Sequence, residues 1–365
     1  MKRQQTLGAK DRIDPASLRR VLVTKLRHHG DVLLTAPVFS ALKAAAPHVE
    51  IDALVYRDTV DMLSGHPAIS QIHAVDRSAK QSSLTAKLRT EWALLQQLQA
   101  RNFDLIVHLT ESYRGAWLSK LLGTRYSVAR DYGEKRGWIW RNAFSHHYQI
   151  APHGRHTVER NLDALRRLGI AITTDRRVAL EAGAAATEHV TAVLAHHQLE
   201  PKRFIHLHPT SRWLFKCWSV ENYGLLIDRL RAQGHRVVLT AAPNREEMDM
   251  IERITARLQH SVINLAGKLT LKQLAALTAQ ARCFVGVDSA PMHIAAAMDT
   301  PVVVLFGPSG ESEWGPWQVS SAIITSDHPC RPCGRDGCGG GKVSECLTTI
   351  GVDRVLAAVA RQAHQ

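Results

Sequence analysis

Long hydrophobic runs are missing from this sequence of 365 residues. A helix that crosses a membrane needs about 18 or more consecutive apolar residues, whereas the longest apolar runs here, such as residues 301–306, suit a buried strand. Residues 1–20 are basic and polar and lack the apolar segment of a secretion signal. We therefore expect a cytoplasmic protein that does not span a membrane and that begins with a flexible basic tail over residues 1–18.

Two glycine-rich nucleotide-binding motifs are also absent. No G-x-G-x-x-G follows the first apolar run, and no G-x-x-x-x-G-K-[ST] occurs anywhere in the chain. These absences argue against an ordinary dinucleotide-dependent dehydrogenase and against a P-loop NTPase. Binding of a nucleotide without either of these loops is typical of sugar-nucleotide enzymes with two Rossmann-like domains.

Cysteine is scarce, with six residues in the whole chain, which is too few for a disulfide scaffold. Four of them lie close together in a glycine-rich segment with the spacing C-x2-C-x4-C-x7-C. The paired C-x2-C motifs of a zinc ribbon are not present. A structural metal site, a local disulfide and reduced thiols all remain open for Cys330, Cys333, Cys338 and Cys346.

The composition is that of a folded protein with an excess of positive charge. Hydrophobic residues make up 45% and charged residues 22%, and the length predicts about two domains. Lys and Arg total 46 against 33 for Asp and Glu, a net charge of +13. This excess indicates an anionic partner, with a merely solvated basic surface as the alternative.

Short apolar runs alternate with amphipathic stretches in both halves of the chain. This alternation predicts parallel sheets of βαβ units, and therefore the α/β class with two doubly wound Rossmann-like halves that face each other across a cleft. Residues 126–160 break the rhythm. The domain junction is expected between residues 169 and 187, which divides the chain into domains 19–178 and 179–365. The predicted strands are residues 21–26, 51–56, 103–109, 204–208, 236–240, 283–287 and 301–306.

Ligands of open α/β sheets bind beyond the carboxyl ends of the strands, so residues just after each strand are the candidates for chemistry. After the first strand, Asp31 is either the N-cap of a helix or a general base for a hydroxyl. Farther along, Thr210, Ser211, Arg212 and Lys216 suit a diphosphate, although loop cations are often only solvated.

A second candidate anion site begins the helix after residues 283–287. Asp288, Ser289, Ala290 and Pro291 open that helix, whose backbone N–H groups attract anions. His293 either belongs to this site or simply packs on the helix.

Taken together, these motifs resemble glycosyltransferase family 9, the heptosyltransferases, and most closely its lipopolysaccharide core heptosyltransferase III branch. The resemblance spans residues 18–355. The matching segments are VLVTKLRHHGDVLLTAP (21–37), IDALVY (51–56), HPTSRWLFKCW (208–218), VDSAPMHIAAA (287–297), FGPS (306–309) and CRPCGRDGCGGGKVSEC (330–346).

The resemblance implies a GT-B fold and a transfer reaction that needs no cofactor or metal. An N-terminal domain would receive the acceptor, and a C-terminal domain would hold ADP-L-glycero-D-manno-heptose. Transfer with inversion at the anomeric carbon is expected, with Asp31 as the base and Lys216 beside the donor phosphates. The other donor-binding residues that the resemblance implies are Thr210, Ser211, Arg212, Glu246 (ribose), Lys268 and Leu269 (adenine side), Asp288, Ser289, Ala290, Pro291 and His293.

The acceptor implied by the resemblance is the inner core of lipopolysaccharide, which is anionic and anchored in a membrane. Arg130, Lys135, Arg136 and Arg141, interleaved with tryptophans, are the candidate acceptor-binding residues. We therefore expect a protein at the inner face of the cytoplasmic membrane of a Gram-negative bacterium, with no nucleic-acid partner. The alternatives are a GT-B sugar-nucleotide epimerase, another lipopolysaccharide glycosyltransferase, an inactive scaffold and a basic nucleic-acid-binding protein with a zinc loop.

Overall fold

The computed structural model describes residues 11–77, 83–151 and 154–363. The chain divides into two compact units, Met1–Ala179 and Leu180–Gln365. Each unit carries a sheet of six strands, and all the strand pairs are parallel. The predicted α/β class with two doubly wound halves is confirmed.

The sheet of the first unit has the strand order β3-β2-β1-β4-β5-β6. The strands are added in one direction from β1 to β3 and in the opposite direction from β4 to β6, so the switch point of the sheet lies between β1 and β4. The carboxyl ends of these two strands frame a crevice of the kind in which ligands bind. The strands are β1 (Arg20–Lys25), β2 (Glu50–Tyr56), β3 (Gln71–Val75), β4 (Leu105–His108), β5 (Tyr126–Arg130) and β6 (His146–Tyr148).

Among the described residues of the first unit, six segments are α-helical. They are α1 (His29–Leu33), α2 (Ala36–Ala45), α3 (Leu84–Ala100), α4 (Tyr113–Leu121), α5 (Gly137–Ala143) and α6 (Thr157–Arg167). Residues 29–45 form two helices and not one, because Pro37 lies in the first turn of α2. Proline cannot donate to the preceding turn, so the helix stops after Leu33 and starts again at Ala36.

Residues 126–160 do not break the alternation of strands and helices, contrary to the prediction. They form β5, α5 and β6, which continue the sheet. The strands were missed because they are short and carry buried polar residues such as Ser127 and His146.

Strand β3 was missed for the same reason. Its His73 is buried, with Nε2 2.9 Å from Oδ2 of Asp52 on β2, and Nε of Arg101 donates to the same oxygen at 2.8 Å. Although burial raises the pKa of Asp52, the hydrogen bonds from His73 and Arg101 bring the pKa below its usual value. Because each member has partners, these charged residues are compatible with a strand interior.

The sheet of the second unit has the order β12-β11-β10-β7-β8-β9. Its strands are β7 (Phe204–His208), β8 (Arg236–Leu239), β9 (Ile263–Asn264), β10 (Cys283–Val287), β11 (Val302–Leu305) and β12 (Ser321–Ile324). Its helices are α7 (Ala184–His196), α8 (Val220–Ala232), α9 (Arg245–Thr255), α10 (Leu271–Gln280), α11 (Ala290–Ala297), α12 (Glu311–Trp314), α13 (Glu345–Thr348) and α14 (Val352–Ala363).

The predicted strands of the second unit correspond to β7, β8, β10 and β11, whereas β9 and β12 were not predicted. Ser219 caps α8 by accepting from the backbone of Asn222, and Thr270 and Gln273 form a capping box at the start of α10. The core strands β7, β10 and β11 are buried along their whole length. Strands that are buried throughout are expected in a parallel sheet that is covered on both faces.

The start of the first unit differs from the predicted tail over residues 1–18. Residues 1–10 lie outside the described part. Ile13 and Leu18 are buried, and the N–H of Ile13 donates to the carbonyl of Leu168. The packed chain therefore begins before residue 19. In the ranges that the structure describes, no helix combines the length and the apolarity needed to cross a membrane.

Candidate active site

Asp31 lies after β1, in the first turn of α1, and its side chain is mostly buried. Its Oδ1 is 3.7 Å from Nε of Arg27, whose charge stabilises the carboxylate. The alternative interpretation of Asp31 as an N-cap is wrong, because His28 occupies that position. Asp31 is thus a carboxylate at the switch point of the sheet.

Lys25 is a buried cation in the vicinity of Asp31, and the sequence analysis did not single it out. Its Nζ donates to the carbonyl of Leu109 at 3.0 Å and to Oδ1 of Asn161 at 3.3 Å. Burial lowers the pKa of Lys25 to about 8, although the negative charge of Asp31 acts in the opposite direction. The available signal was a lysine at the end of an otherwise apolar strand.

Charged side chains continue along this edge of the first sheet. Glu111 follows β4, and its Oε1 lies 3.7 Å from Nη1 of Arg130 at the end of β5. Glu111 also raises the pKa of Lys25, which opposes the effect of burial. The edge therefore carries alternating negative and positive groups.

The four predicted acceptor-binding cations lie on or after β5. Arg130 and Arg136 both lie over the ring of Tyr132, at 4.9 and 5.4 Å from its centroid. Lys135 and Arg141 are exposed. Stacking on aromatic rings holds two of these cations near the edge, and the other two reach into solvent.

In the second unit, Lys216 and Asp288 form an ion pair at the ends of β7 and β10. Nζ of Lys216 is 2.6 Å from Oδ2 of Asp288, and the Ser309 hydroxyl donates to the same oxygen at 2.5 Å. Both side chains of the ion pair are largely buried. Ser309, which belongs to the FGPS motif of the sequence, thus joins this cluster in the structure.

Helix α11 begins directly after Asp288. Ser289 is its N-cap, with Ala290 and Pro291 in the first turn. The first N–H groups of a helix lack intrahelical acceptors and attract anions. His293 is buried one turn further on. A cation and a helix N-terminus thus lie side by side, which is an arrangement suited to a diphosphate.

Thr210 and Ser211 are buried beside this cluster. The Thr210 hydroxyl donates to Oε2 of Glu247 at 2.5 Å, and Oγ of Ser211 accepts from the backbone of Trp213 at 3.3 Å. Arg212 is exposed and lies over the ring of Trp213. The two hydroxyls therefore hold the loop in shape.

Glu247 is a buried carboxylate that the sequence analysis missed. Its carboxylate also accepts from the backbone of Ala242 and from the amide of Asn244. Its neighbour Glu246, the predicted ribose contact, is exposed. On an amphipathic helix, neighbouring residues point about 100° apart, so the sequence alone does not decide which of two adjacent glutamates faces inward.

The predicted adenine-side residues lie further along the second sheet. Lys268 follows β9 and is exposed, with Nζ donating to the carbonyl of Asn264 at 3.1 Å. Leu269 is half-buried and packs on the apolar cluster that contains Leu265 and Leu277. Since β8 and β9 are two and three strands away from β10, Glu246, Lys268 and Leu269 lie apart from the Lys216–Asp288 pair.

The cysteine-rich segment contains free thiols. Cys330, Cys333, Cys338 and Cys346 are all unbridged. In the part of the chain that the structure describes, no group of three or more His, Cys, Asp or Glu side chains is arranged to hold a metal ion. Burial raises the pKa of the Cys346 thiol.

The cysteine-rich segment makes hydrogen bonds at two places to residues next to the Lys216–Asp288 pair. Nε of the buried Arg331 side chain donates to the carbonyl of Gly307 at 2.8 Å, and its Nη2 donates to Glu311 at 3.0 Å. The Ser344 hydroxyl donates to the carbonyl of Phe215, next to Lys216, at 2.6 Å. The segment thereby positions both the loop that carries Ser309 and the turn that carries Lys216.

Comparison with known proteins gives consistent matches. Residues 91–343 match the family model for glycosyltransferase family 9 (heptosyltransferase). The chain is 36% identical over 293 residues to lipopolysaccharide heptosyltransferase 3 of Escherichia coli, covering 80% of this chain and 84% of that protein. It superposes on the glycosyl transferase family 9 structure from Veillonella parvula with a TM-score of 0.83 at 20% identity, covering 97% and 99% of the two chains. For E. coli heptosyltransferase WaaC with ADP-2-deoxy-2-fluoro heptose, the TM-score is 0.70 at 22% identity, with 94% and 99% covered.

Proposed function

The chain belongs to glycosyltransferase family 9, the heptosyltransferases, and from this premise we propose that it transfers L-glycero-D-manno-heptose from ADP-heptose to an inner-core heptose of lipopolysaccharide. The similarity to lipopolysaccharide heptosyltransferase 3 supports the third-heptose step. One observation in this chain carries the donor assignment: the Lys216–Asp288–Ser309 cluster adjoins the N-terminus of α11.

The donor diphosphate binds at this cluster. Lys216 supplies a positive charge, and the first N–H groups of α11 supply hydrogen-bond donors. Ser289, Ala290, Pro291 and His293 line the start of that helix, and Thr210, Ser211 and Arg212 belong to the loop before Lys216. Glu246, Lys268 and Leu269 are assigned to the ribose and adenine. The solved complex of WaaC with an ADP-heptose analogue supports a donor of this chemical class.

Transfer follows from two groups of this chain. An acceptor hydroxyl oxygen attacks the anomeric carbon of the donor heptose, the bond from that carbon to the phosphate oxygen breaks, and Asp31 takes the hydroxyl proton. Lys216 and the helix N-terminus stabilise the negative charge that develops on the departing ADP. Attack opposite the leaving group inverts the anomeric centre, and no metal or cofactor takes part.

The acceptor binds along the carboxyl edge of the first sheet. Arg130, Lys135, Arg136 and Arg141 suit the phosphates and carboxylates of the inner core. The acceptor is anchored in a membrane leaflet, so the enzyme works in the cytoplasm at the inner face of the cytoplasmic membrane. Family membership favours a transferase over the epimerase, scaffold and nucleic-acid-binding alternatives.

In the test, the protein and ADP-heptose are incubated in separate reactions with a core acceptor that carries one heptose or with one that carries two heptoses. ADP release and the mass of the acceptor are measured. We expect one added heptose on the two-heptose acceptor, with the inverted anomeric configuration by NMR. Addition only to the shorter core would contradict the third-heptose step. ADP-heptose isomerisation without any acceptor would instead support an epimerase. An incubation without acceptor is the matched control.

A further inference from the structure

Three helices of the first unit expose large apolar side chains to solvent. Leu88 and Trp92 lie on α3, Trp117 and Leu121 on α4, and Trp138 and Ile139 on α5. Trp92 and Trp117 are 60% exposed and Trp138 is 73% exposed. The pairs on α3 and α4 have i,i+4 spacing, so each pair forms a stripe on one side of its helix. We call these six residues the outer face.

The three helices are neighbours. They connect β3 to β4, β4 to β5 and β5 to β6, and right-handed crossovers in this strand order lie on the same side of the sheet. Nε2 of Gln99 on α3 donates to the carbonyl of Leu121 on α4 at 3.1 Å. The Ser119 hydroxyl of α4 donates to the carbonyl of Ala143 on α5 at 2.8 Å. The exposed apolar side chains therefore lie on three adjacent helices.

Positive charge borders the outer face. Of the exposed carboxylates on or next to these helices, Glu91 pairs with Arg114, Glu111 pairs with Arg130, and Glu134 lies beside Lys135. Cations thus outnumber carboxylates around the apolar stripes, and this is charge complementarity to an anionic surface. The exposed cations on or next to the three helices are Arg89, Lys120, Arg125, Lys135 and Arg141.

Tryptophan side chains suit the boundary between headgroups and acyl chains, because an apolar ring system carries one polar N–H. Scattered apolar residues are normal on a protein surface, but a set on three adjacent helices marks an interaction site. The helices of the outer face adjoin the carboxyl edge of the first sheet, which we call the acceptor edge because the proposed acceptor binds there. The Tyr113 hydroxyl at the start of α4 donates to the carbonyl of Arg136 at this edge at 2.9 Å.

We propose that the outer face docks the protein on a bilayer of anionic lipids, with Trp92, Trp117 and Trp138 inserted at the level of the headgroups. The docked orientation presents the neighbouring acceptor edge to a lipid-anchored substrate, and this consequence rests on the proposed function. The docking itself needs only the apolar side chains and the cations around them.

The test measures flotation of the full chain with vesicles of phosphatidylcholine alone or of phosphatidylcholine mixed with phosphatidylglycerol. We expect binding to the mixed vesicles that weakens as salt is raised. The triple variant Trp92→Ser, Trp117→Ser and Trp138→Ser is expected to bind them at least about tenfold more weakly, because three inserted side chains are lost. Leu225→Ser removes an exposed apolar residue of α8 in the second unit and is the matched control.

Two outcomes would overturn the proposal. One is equal vesicle binding by the wild type and the triple variant. The other is a wild-type dimer that the triple substitution dissociates while vesicle binding is unchanged, which would assign the outer face to a second copy of the chain. Circular dichroism and thermal unfolding establish that the variants are folded.

Activity assays separate this proposal from the proposed function. The triple variant is expected to retain heptose transfer to a water-soluble, delipidated core acceptor and to lose about tenfold on the same acceptor held in vesicles. If the wild type transfers to neither acceptor, the proposed function fails, while the vesicle-binding result still decides the docking proposal.

Discussion

The two units share a parallel sheet of six strands but differ in the chemistry at the carboxyl edge. In the first unit, the edge carries the carboxylate of Asp31 near the buried Lys25. In the second unit, Lys216 is held by Asp288 and lies beside the N-terminus of α11. One edge is suited to accept a proton, and the other is suited to hold an anion. Because the two units share one architecture, the difference in their chemistry depends on the residues that follow each strand.

The strongest test of this comparison removes the proton acceptor alone. Asp31→Asn keeps the shape and polarity of the side chain but abolishes its basicity, so we expect transfer to slow by about a thousandfold. ADP release is the measurement, with Asp249→Asn on the exposed surface of α9 as the matched control. Retention of at least a tenth of the wild-type rate would argue against Asp31 as the base.

A second test uses the buried cation of the same edge. Burial lowers the pKa of Lys25 from 10.5 to about 8, so between these values the unfolded chain binds more protons than the folded chain, and stability rises with pH. Relative to Lys25→Met, the wild type should gain about 3 kcal/mol in the free energy of unfolding between pH 7 and about pH 11.

Urea denaturation of both proteins across this pH range measures the difference. Groups that titrate in both proteins cancel in the comparison, so the remaining pH dependence belongs to Lys25. A difference that is constant with pH would mean that the pKa of Lys25 is close to 10.5 in the folded protein.

The third test removes the cation of the second unit. Lys216→Met is expected to lower the transfer rate about a hundredfold, because the developing charge on ADP loses its nearest counter-charge. It should also weaken ADP binding, as measured by titration calorimetry, whereas Asp31→Asn should leave ADP affinity unchanged. Equal loss of ADP affinity in both variants would remove the distinction between the two edges.

The fourth and smallest effect concerns the brace on the second edge. Arg331→Ala removes the hydrogen bonds to Gly307 and Glu311, so we expect KM for ADP-heptose to rise about tenfold with a smaller change in kcat. Lys342→Ala in the same segment is the matched control, because its ion pair with Asp336 is exposed. Partial rescue by Arg331→Lys would support a positioning role, and an unchanged KM would contradict it.

Much of the fold could be predicted because it depends on local periodicity. The strands Phe204–His208 and Cys283–Val287 and the cap of α10 all follow from short-range patterns. Strands β3 and β6 could not be predicted in this way, because they lie at the edges of the first sheet and are not buried along their whole length. Their polar groups are compensated by partners distant in sequence, such as Asp52 for His73.

The candidate site was predictable in part for a similar reason. Asp31, Lys216 and Asp288 stand just after strands, and this position marks them in the sequence. Glu247 was missed in favour of Glu246, because the direction of a helix face depends on what packs against it. Lys25 was missed because a lysine at the last residue of a strand, here β1, is also compatible with exposure to solvent.

The sequence by itself determined the α/β alternation, the positions of the strand-end motifs and the excess of positive charge. Each of these depends on residues that are close together in the chain. Only the tertiary structure decided which side chains meet: Lys216 with Asp288, 72 residues away, and Ser344 with Phe215, 129 residues away. Such pairs depend on the strand order β11-β10-β7-β8, which brings the carboxyl ends of distant strands together at one edge of the sheet.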